Sequence, residues 1–171
     1  MTYNQGFAPI ASTNAVVLVL GSMPSVASLQ KQQYYAHPRN AFWPIMQRLF
    51  DAPAELSYAK KKAFLKRHGI AVWDVLAACF RPGSLDSAID ERSISANDFA
   101  GFFADHKQLR QVFFNGGKAE QMYSKHVLPQ VRERWPNLEY SRLPSTSPAM
   151  AALTLEKKLE HWRVVLQAVE E

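Results

Sequence analysis

The 171-residue chain contains one cysteine, Cys79, and this scarcity excludes several classes of protein. A single thiol cannot form an internal disulfide, and alone it cannot hold an iron–sulfur cluster or a structural zinc ion. The five histidines are scattered through the sequence without the spacing of metal ligands. We therefore expect neither a metal nor a cofactor, and we interpret Cys79 as a small buried residue.

Long apolar runs are also missing. No segment approaches the roughly 20 apolar residues that a membrane-spanning helix requires. Residues 1–14 contain no basic segment followed by an apolar one, which a secretory signal peptide would have. We therefore expect a cytoplasmic protein with no membrane partner.

Acidic residues are fewer than basic ones. Twenty Lys and Arg residues against fifteen Asp and Glu residues give a net charge of +5. An excess of positive charge is compatible with a partner that carries phosphate groups, such as nucleic acid. The basic segment 57–69 is predicted to be a helix, and it either contacts such a partner or is a solvated surface.

Short apolar segments that end in turns alternate with predicted helices along the chain. This alternation predicts βαβ units, and therefore an α/β fold with a mostly parallel sheet. No repeat or interdomain linker interrupts the pattern, so we expect one domain over residues 1–171. The predicted strands lie at 15–20 and 70–75, within 110–117 and at the start of 138–150. The predicted helices include 41–50, 57–69, 95–106, 118–128 and a C-terminal helix.

Three of the strands end in conspicuous loops, Gly21–Ser25, Asn115–Gly117 and Leu143–Met150. Parallel sheets bind ligands at the carboxyl ends of their strands, so we expect these loops to converge. The first loop, "GSMPS", contains no acidic, basic or amide side chain. It is either a tight turn, or a site where backbone N–H groups, with Ser22 and Ser25, bind an oxyanion or the edge of a base.

The segment "YYAHPRNAFW", residues 34–43, combines aromatic rings with His37, Arg39 and Asn40. One interpretation is a helix cap at Asn40 followed by core aromatics, which accounts for Trp43. The other is a ligand site, because proteins hold nucleobases by stacking them on aromatic rings and fixing their edges with polar groups.

Two further segments allow both a structural and a functional interpretation. Asn115 is either a turn residue at a strand end or an amide that offers one donor and one acceptor to a base such as uracil or hypoxanthine. The segment "LPSTSPAM", residues 143–150, is either a connector or a clamp. As a clamp, its hydroxyl and N–H groups would bind phosphates while an apolar tip enters the base stack.

In this order, "GSMPS", "HPRNAFW", "NGG" and "LPSTSP" resemble the motifs of the uracil-DNA glycosylase superfamily over nearly the whole chain. With "WDVLAACFRPGSLDSAI" at 73–89, they most closely resemble its hypoxanthine-DNA glycosylase branch. The resemblance implies a three-layer α/β/α fold with a central, mostly parallel four-stranded sheet. It also implies a monofunctional DNA N-glycosylase without cofactor or metal, which acts as a monomer on double-stranded DNA containing a deaminated base and lies at the nucleoid when bound.

The sequence departs from the superfamily pattern in the first motif. Members commonly carry an Asp or Asn in that turn to handle the attacking water, whereas Ser22 and Met23 stand there in this chain. The resemblance makes Asn40 the substitute, as the catalytic residue that positions water, since an amide cannot act as a general base near pH 7. It also implies base contacts by Gly21, Ser22, Met23, Phe42 (stacking) and Asn115 (amide edge). The loop for the DNA backbone and intercalation would be Pro144, Ser145, Thr146, Ser147, Pro148 and Met150.

The choice of hypoxanthine follows from the branch resemblance and from the missing acid or amide in the first motif. Uracil presents the same amide edge as hypoxanthine, so a mismatch-type uracil-DNA glycosylase is the alternative enzyme. A non-catalytic module that binds nucleotides or nucleic acid with the same fold is the alternative outside catalysis, and the missing acid in the first motif favours it. A small-molecule hydrolase would need a nucleophile–base pair, and the sequence offers none.

Overall fold

The computed structural model of the chain describes residues 3–171, which fold into strands and helices in alternation. The strands, β1 to β7 in chain order, cover Tyr3–Gln5, Val17–Gly21, Ile70–Asp74, Leu76–Phe80, Asp90–Ala96, Gln111–Asn115 and Glu139–Leu143. The α-helices, α1 to α7, cover Val26–Lys31, Phe42–Leu49, Tyr58–Arg67, Phe99–Asp105, Gly117–His126, Leu128–Val131 and Leu155–Glu170. Within residues 3–171, none of the helices combines the length and the apolar character needed to cross a bilayer.

A parallel sheet with the strand order β3-β2-β6-β7 forms the centre of the fold. Every residue of β2 and of β3 is buried, because these apolar strands are covered on both faces. The cover comes from helices: α7 packs against β2 and α2, α3 against β3, and α5 against β6 and β7. The predicted α/β/α fold with a four-stranded parallel sheet is confirmed.

A second, antiparallel sheet with the order β1-β4-β5 was not predicted. Its central strand β4 follows β3 after a single residue, Val75, and carries the sequence "LAACF". Alanine is a weak strand former, and the pattern lacks the alternation that marks a half-buried strand. Tertiary pairing, not local preference, therefore determines this strand.

The helix predicted over 95–106 begins later than expected. Ser95 belongs to β5, and α4 starts at Phe99. Asp98 caps this helix, since its Oδ1 accepts a hydrogen bond of 3.0 Å from the N–H of Gly101. The basic helix α3 agrees with its prediction: Ser57 caps its start, and Gly69 follows its end with φ +75°.

The four parallel strands end side by side at one edge of the central sheet. The register pairs Gly21 with Asp74, Leu20 with Phe114, and Asn115 with Leu143. The three loops expected to converge therefore do so, and a fourth strand end, at Asp74, lies in the same row. A ligand at this edge would meet the ends of all four strands.

Candidate active site

The turn after β2 is fixed by backbone hydrogen bonds and close packing. The N–H groups of Val75 and Leu76 donate to the carbonyls of Gly21 and Ser22, at 2.8 and 3.1 Å. A Cβ atom on residue 21 would lie 2.5 Å from Asp74 Oδ1, so this position requires glycine. Met23 lies in the hydrophobic core. Its thioether is therefore packed away, and the turn offers a ligand its backbone.

The hydroxyl groups of this turn already have partners. Ser22 Oγ donates to Asp86 Oδ1 at 2.5 Å. Ser25 Oγ caps α1, accepting a hydrogen bond of 3.1 Å from the N–H of Ser28. The interpretation of Ser25 as a ligand group is therefore replaced by a capping role, and Ser22 links the turn to the segment that precedes β5.

The aromatic surface of segment 34–43 is built differently from the prediction. Phe42 is 0% exposed, so it has no open face on which a base could stack. The ring of Tyr35 lies on it, with centroids 4.1 Å apart and planes 23° apart. Tyr35 is only partly buried, so it is the outer ring of the pair. Phe42 therefore supports the ring of Tyr35, and the accessible ring of the pair is that of Tyr35.

Asn40 has one end of its side-chain amide fixed and the other end free. Its Oδ1 accepts a hydrogen bond of 2.9 Å from the N–H of Phe42, the first residue of α2. Its Nδ2 makes no hydrogen bond within residues 3–171, and the residue is half-exposed. The N-cap of α2 is Ala41, so Asn40 lies one residue before the helix cap and its Oδ1 satisfies an N–H of the first turn. The free amide group remains available to water or to a substrate.

Thr146 connects three of the predicted motifs. Its N–H donates to Asn115 Oδ1, and Asn115 Nδ2 donates to its Oγ1, both at 2.9 Å. Its carbonyl accepts a hydrogen bond of 2.9 Å from the N–H of Ala41. Thr146 is 1% exposed. One donor and one acceptor of the Asn115 amide are thus engaged by the loop, and the contact of Asn115 with a base stays a prediction.

The loop 143–150 is stiffened from within and from α7. Ser145 Oγ accepts from the N–H of Ser147 at 3.1 Å, and Ser147 Oγ accepts from the N–H of Ala149 at 3.2 Å. Trp162 Nε1 donates to the carbonyl of Pro144 at 2.9 Å. Lys158 Nζ lies 3.4 Å from the carbonyl of Ser147. Among the predicted loop residues, Pro144, Ser145, Ser147, Pro148 and Met150 are partly exposed, as a DNA-contacting loop would require.

Asp74 is a residue of this edge for which the sequence predicted no role. It ends β3 and is 4% exposed, yet its Oδ2 has no hydrogen-bond partner within residues 3–171. The hydroxyl of Tyr35 is likewise buried and makes no hydrogen bond of standard geometry, although the side-chain amide of Asn115 lies close to it. A Cβ on Gly21 would lie 2.5 Å from Asp74 Oδ1 and 3.2 Å from the Tyr35 hydroxyl, so these two groups flank the end of β2. Unpaired buried polar groups are costly, and each of them calls for an explanation such as a bound water, a bound ion or a catalytic role.

The environment of Asp74 favours its protonated form. Burial raises the pKa of this carboxyl to about 7, the negative charge of Asp86 adds to the rise, and the Arg81 guanidinium opposes it. Burial and the proximity of Asp74 also raise the pKa of the Tyr35 hydroxyl, which therefore stays neutral. A protonated carboxyl offers one donor and one acceptor, the combination predicted for Asn115.

Neither a metal site nor a reactive thiol is found in the part of the chain that the structure describes. Residues 3–171 contain no group of three or more His, Cys, Asp or Glu side chains that could hold a metal ion. Cys79 is fully buried, as predicted, and burial raises the pKa of its thiol. A thiol of this kind is a weak nucleophile. The polar groups at the sheet edge are therefore the candidates for catalysis.

Comparison with known proteins agrees with this arrangement. The family model of the Uracil DNA glycosylase superfamily matches residues 8–170. A protein of Methanosarcina acetivorans named "Hypoxanthine DNA glycosylase" is 35% identical over 164 residues, which are 95% of this chain and 98% of that protein. A protein of the same name from Methanosarcina barkeri is 36% identical over 116 residues, 67% of this chain and 72% of the relative.

A solved structure extends the similarity to the fold. The solution NMR structure of a candidate uracil DNA glycosylase from Methanosarcina acetivorans has a TM-score of 0.81 and 35% sequence identity to this chain, covering 99% of this chain and 100% of that one. The superfamily match spans every motif at the sheet edge. The resemblance predicted from the order of those motifs is confirmed: the chain belongs to the uracil DNA glycosylase superfamily.

Proposed function

We propose that this protein is a monofunctional DNA glycosylase that excises hypoxanthine from double-stranded DNA. The observation that carries the proposal is the grouping of a partly buried aromatic ring, a free amide and an unpartnered carboxyl at one sheet edge, on Tyr35, Asn40 and Asp74. The names of the Methanosarcina relatives favour hypoxanthine as the base. All three residues belong to one chain, so the proposed site needs no residue from a second copy, and we propose a monomer.

The flipped base occupies the space between Tyr35 and the end of β2. Hypoxanthine presents N1–H as a donor and O6 as an acceptor, and a protonated carboxyl on Asp74 matches both with its carbonyl and its hydroxyl. In the free protein Asp74 Oδ2 and the Tyr35 hydroxyl are closed to solvent, so the incoming base has to open this space. Flipping costs a few kcal/mol, and it costs least for a mispaired base.

The reaction is hydrolysis of the N-glycosidic bond. The bond between C1′ and N9 breaks, its electron pair stays on the base, and the sugar becomes an oxocarbenium-like cation. The oxygen of a water molecule then bonds to C1′, and one proton of that water leaves to neutralise the departing base. Asn40 orients the water through its free amide, and hydrogen-bond donors at the sheet edge stabilise the anionic base. An amide suffices because the bond breaks before the water attacks.

An alkali-cleavage assay tests this function. Duplexes containing deoxyinosine, deoxyuridine or only normal bases are incubated with the protein and then treated with alkali, which cuts the strand at abasic sites. We expect cuts at deoxyinosine. Cuts only at deoxyuridine would make uracil the substrate, and binding without any cut would make the protein a non-catalytic module.

Tyr35→Ala should lower the rate of excision while the protein still folds. Stacking of a base on an aromatic ring contributes about 1–3 kcal/mol, so kcat/KM should fall roughly 5- to 150-fold. Tyr35→Phe retains the ring and serves as the matched control, with excision close to wild type. Phe42→Ala removes a fully buried side chain and should instead lower the free energy of unfolding by about 3–5 kcal/mol. Equal excision by Tyr35→Ala and wild type would return Tyr35 to a structural role.

A further inference from the structure

Arg81, at the end of β4, has an unusually incomplete set of partners for a buried cation. The residue is 1% exposed. Its Nη2 donates to the carbonyl of Pro24, in the turn after β2. Its Nε and Nη1 are buried and have no hydrogen-bond partner within residues 3–171. A guanidinium has five N–H donors, so most of the hydrogen-bonding capacity of Arg81 is unused.

The charge of Arg81 is also uncompensated at short range. No carboxylate oxygen of residues 3–171 lies within 4.0 Å of its nitrogens, although Asp86 and Asp74 are close enough to favour its charged form. Burial lowers the pKa of the guanidinium, as expected for a cation removed from water. A buried charge without a paired ion is strongly destabilising, so an anion that reached Arg81 would be stabilised there.

A cleft adjoins Arg81. Its volume is about 310 Å³. It lies between β1, α1 and the residues that follow β4, and is lined by Asn4, Val26, Leu29, Gln30, Arg81 and Gly83. Gln30 and Gly83 are exposed, and a Cβ atom on Gly83 would meet no atom within 4 Å. These two residues have room to move when a ligand reaches the covered nitrogens.

The geometry points to a phosphate-binding site at Arg81. A planar guanidinium with free N–H groups suits phosphate oxygens, which it binds through paired hydrogen bonds. The phosphate comes either from the DNA backbone beside the lesion or from a free phosphate compound. The DNA source rests on the proposed function, because Arg81 holds the carbonyl of Pro24, two residues beyond Ser22 in the turn that would contact the flipped base.

Binding of free phosphate is tested by thermal unfolding. Inorganic phosphate is exchanged for chloride at constant ionic strength, and Tm is measured for wild type, Arg81→Met and the control Arg134→Met. The control is matched because the Arg134 guanidinium, 4.5 Å from the ring centroid of Trp135, lies next to a different cleft. If the site takes free phosphate, phosphate raises Tm of wild type and of the control but not of Arg81→Met.

Binding of a DNA phosphate is tested by salt dependence. The affinity of the three proteins for a deoxyinosine duplex is measured between 50 and 200 mM salt, roughly the range over which phosphate contacts are lost. A plot of log affinity against log salt has a negative slope. Loss of one phosphate contact should make that slope shallower by about 1, and only in Arg81→Met. Wild-type excision in the alkali assay is measured in parallel. Failure of excision overturns the proposed function, whereas excision with an unchanged slope excludes only the DNA source.

NMR of the wild-type protein keeps the proposal testable if Arg81→Met does not fold. The Nε–H resonance of Arg81 should move when inorganic phosphate or the deoxyinosine duplex is added. Movement with phosphate indicates the free source, and movement with the duplex alone indicates the DNA backbone. A resonance that neither ligand moves, or equal Tm shifts and equal slopes in all three proteins, overturns the proposal and leaves Arg81 as a structural tie to Pro24.

Discussion

Asn40→Ala should abolish excision of hypoxanthine while leaving DNA affinity nearly unchanged. The free Nδ2 of Asn40 is the group available to hold the attacking water, and its Oδ1 is fixed by the N–H of Phe42. Removing one well-placed polar group from a transition state costs about 2.7–4 kcal/mol, or 100- to 1,000-fold in rate. Single-turnover excision, measured with enzyme in excess, reports this loss directly because it separates chemistry from product release.

Two controls separate chemistry from folding in this experiment. Asn40→Asp keeps an acceptor for the N–H of Phe42, so it should fold like wild type, and its carboxylate can still hold the water that Asn40→Ala cannot. Asn137→Ala removes an exposed amide at the opposite end of the sheet, before β7, and should excise normally. Loss of the hydrogen bond from the N–H of Phe42 should lower the stability of Asn40→Ala by about 1 kcal/mol. Wild-type excision by a folded Asn40→Ala would remove Asn40 from the catalytic step.

The location of the site was predictable from simple rules, because the apolar segments define the strands and parallel strands place ligands at their carboxyl ends. The same rule reaches Asp74, which ends the apolar segment "IAVWD". An acidic residue closing a buried strand was therefore the available signal. What the sequence cannot display is the close approach of Asp74 to Gly21, since it depends on the register between β2 and β3.

The roles of Asn115 and Phe42 depend on contacts between distant segments. Asn115 was correctly placed at a strand end, but its amide pairs with Thr146, a residue 31 positions away. Phe42 and Tyr35 are both aromatic and close in sequence, and the sequence does not indicate which ring is outermost. Tyr35 adopts a φ of +55°, and its ring stacks on Phe42. Backbone conformations of this kind are rare for bulky residues, so no local pattern predicts them.

Asp74→Asn should remove the pH dependence of excision above pH 7 while leaving the rate of excision at low pH close to that of wild type. The pKa of the Asp74 carboxyl is about 7, so wild type carries the neutral acid below that value and a carboxylate above it. The neutral acid donates to O6 of hypoxanthine, whereas the carboxylate would repel O6 and the developing anion. Wild-type excision should therefore fall up to tenfold per pH unit above pH 7. The amide of Asn keeps a donor and an acceptor at every pH, so its profile should be flat there.

The pH dependence of the free energy of unfolding tests the pKa of the Asp74 carboxyl independently of excision. Its pKa rises on folding from 3.8 to about 7, so between these values the folded state holds a proton that the unfolded chain has lost. The free energy of unfolding of wild type should accordingly fall as pH rises through this interval, by at most about 1.4 kcal/mol per pH unit, and level off above pH 7. Asp74→Asn should lack this decline.

Asp74→Ala completes the experiment, since it removes both hydrogen-bonding groups and should lose excision at every pH. If Asp74→Asn is as inactive as Asp74→Ala, or if wild type and Asp74→Asn share one pH profile, then Asp74 does not bind the base as a neutral acid. A changed stability curve together with an unchanged excision profile would assign the protonation of Asp74 to folding alone. If Asp74→Asn remains active and its rate of excision does not change with pH, base recognition lies at the end of β3.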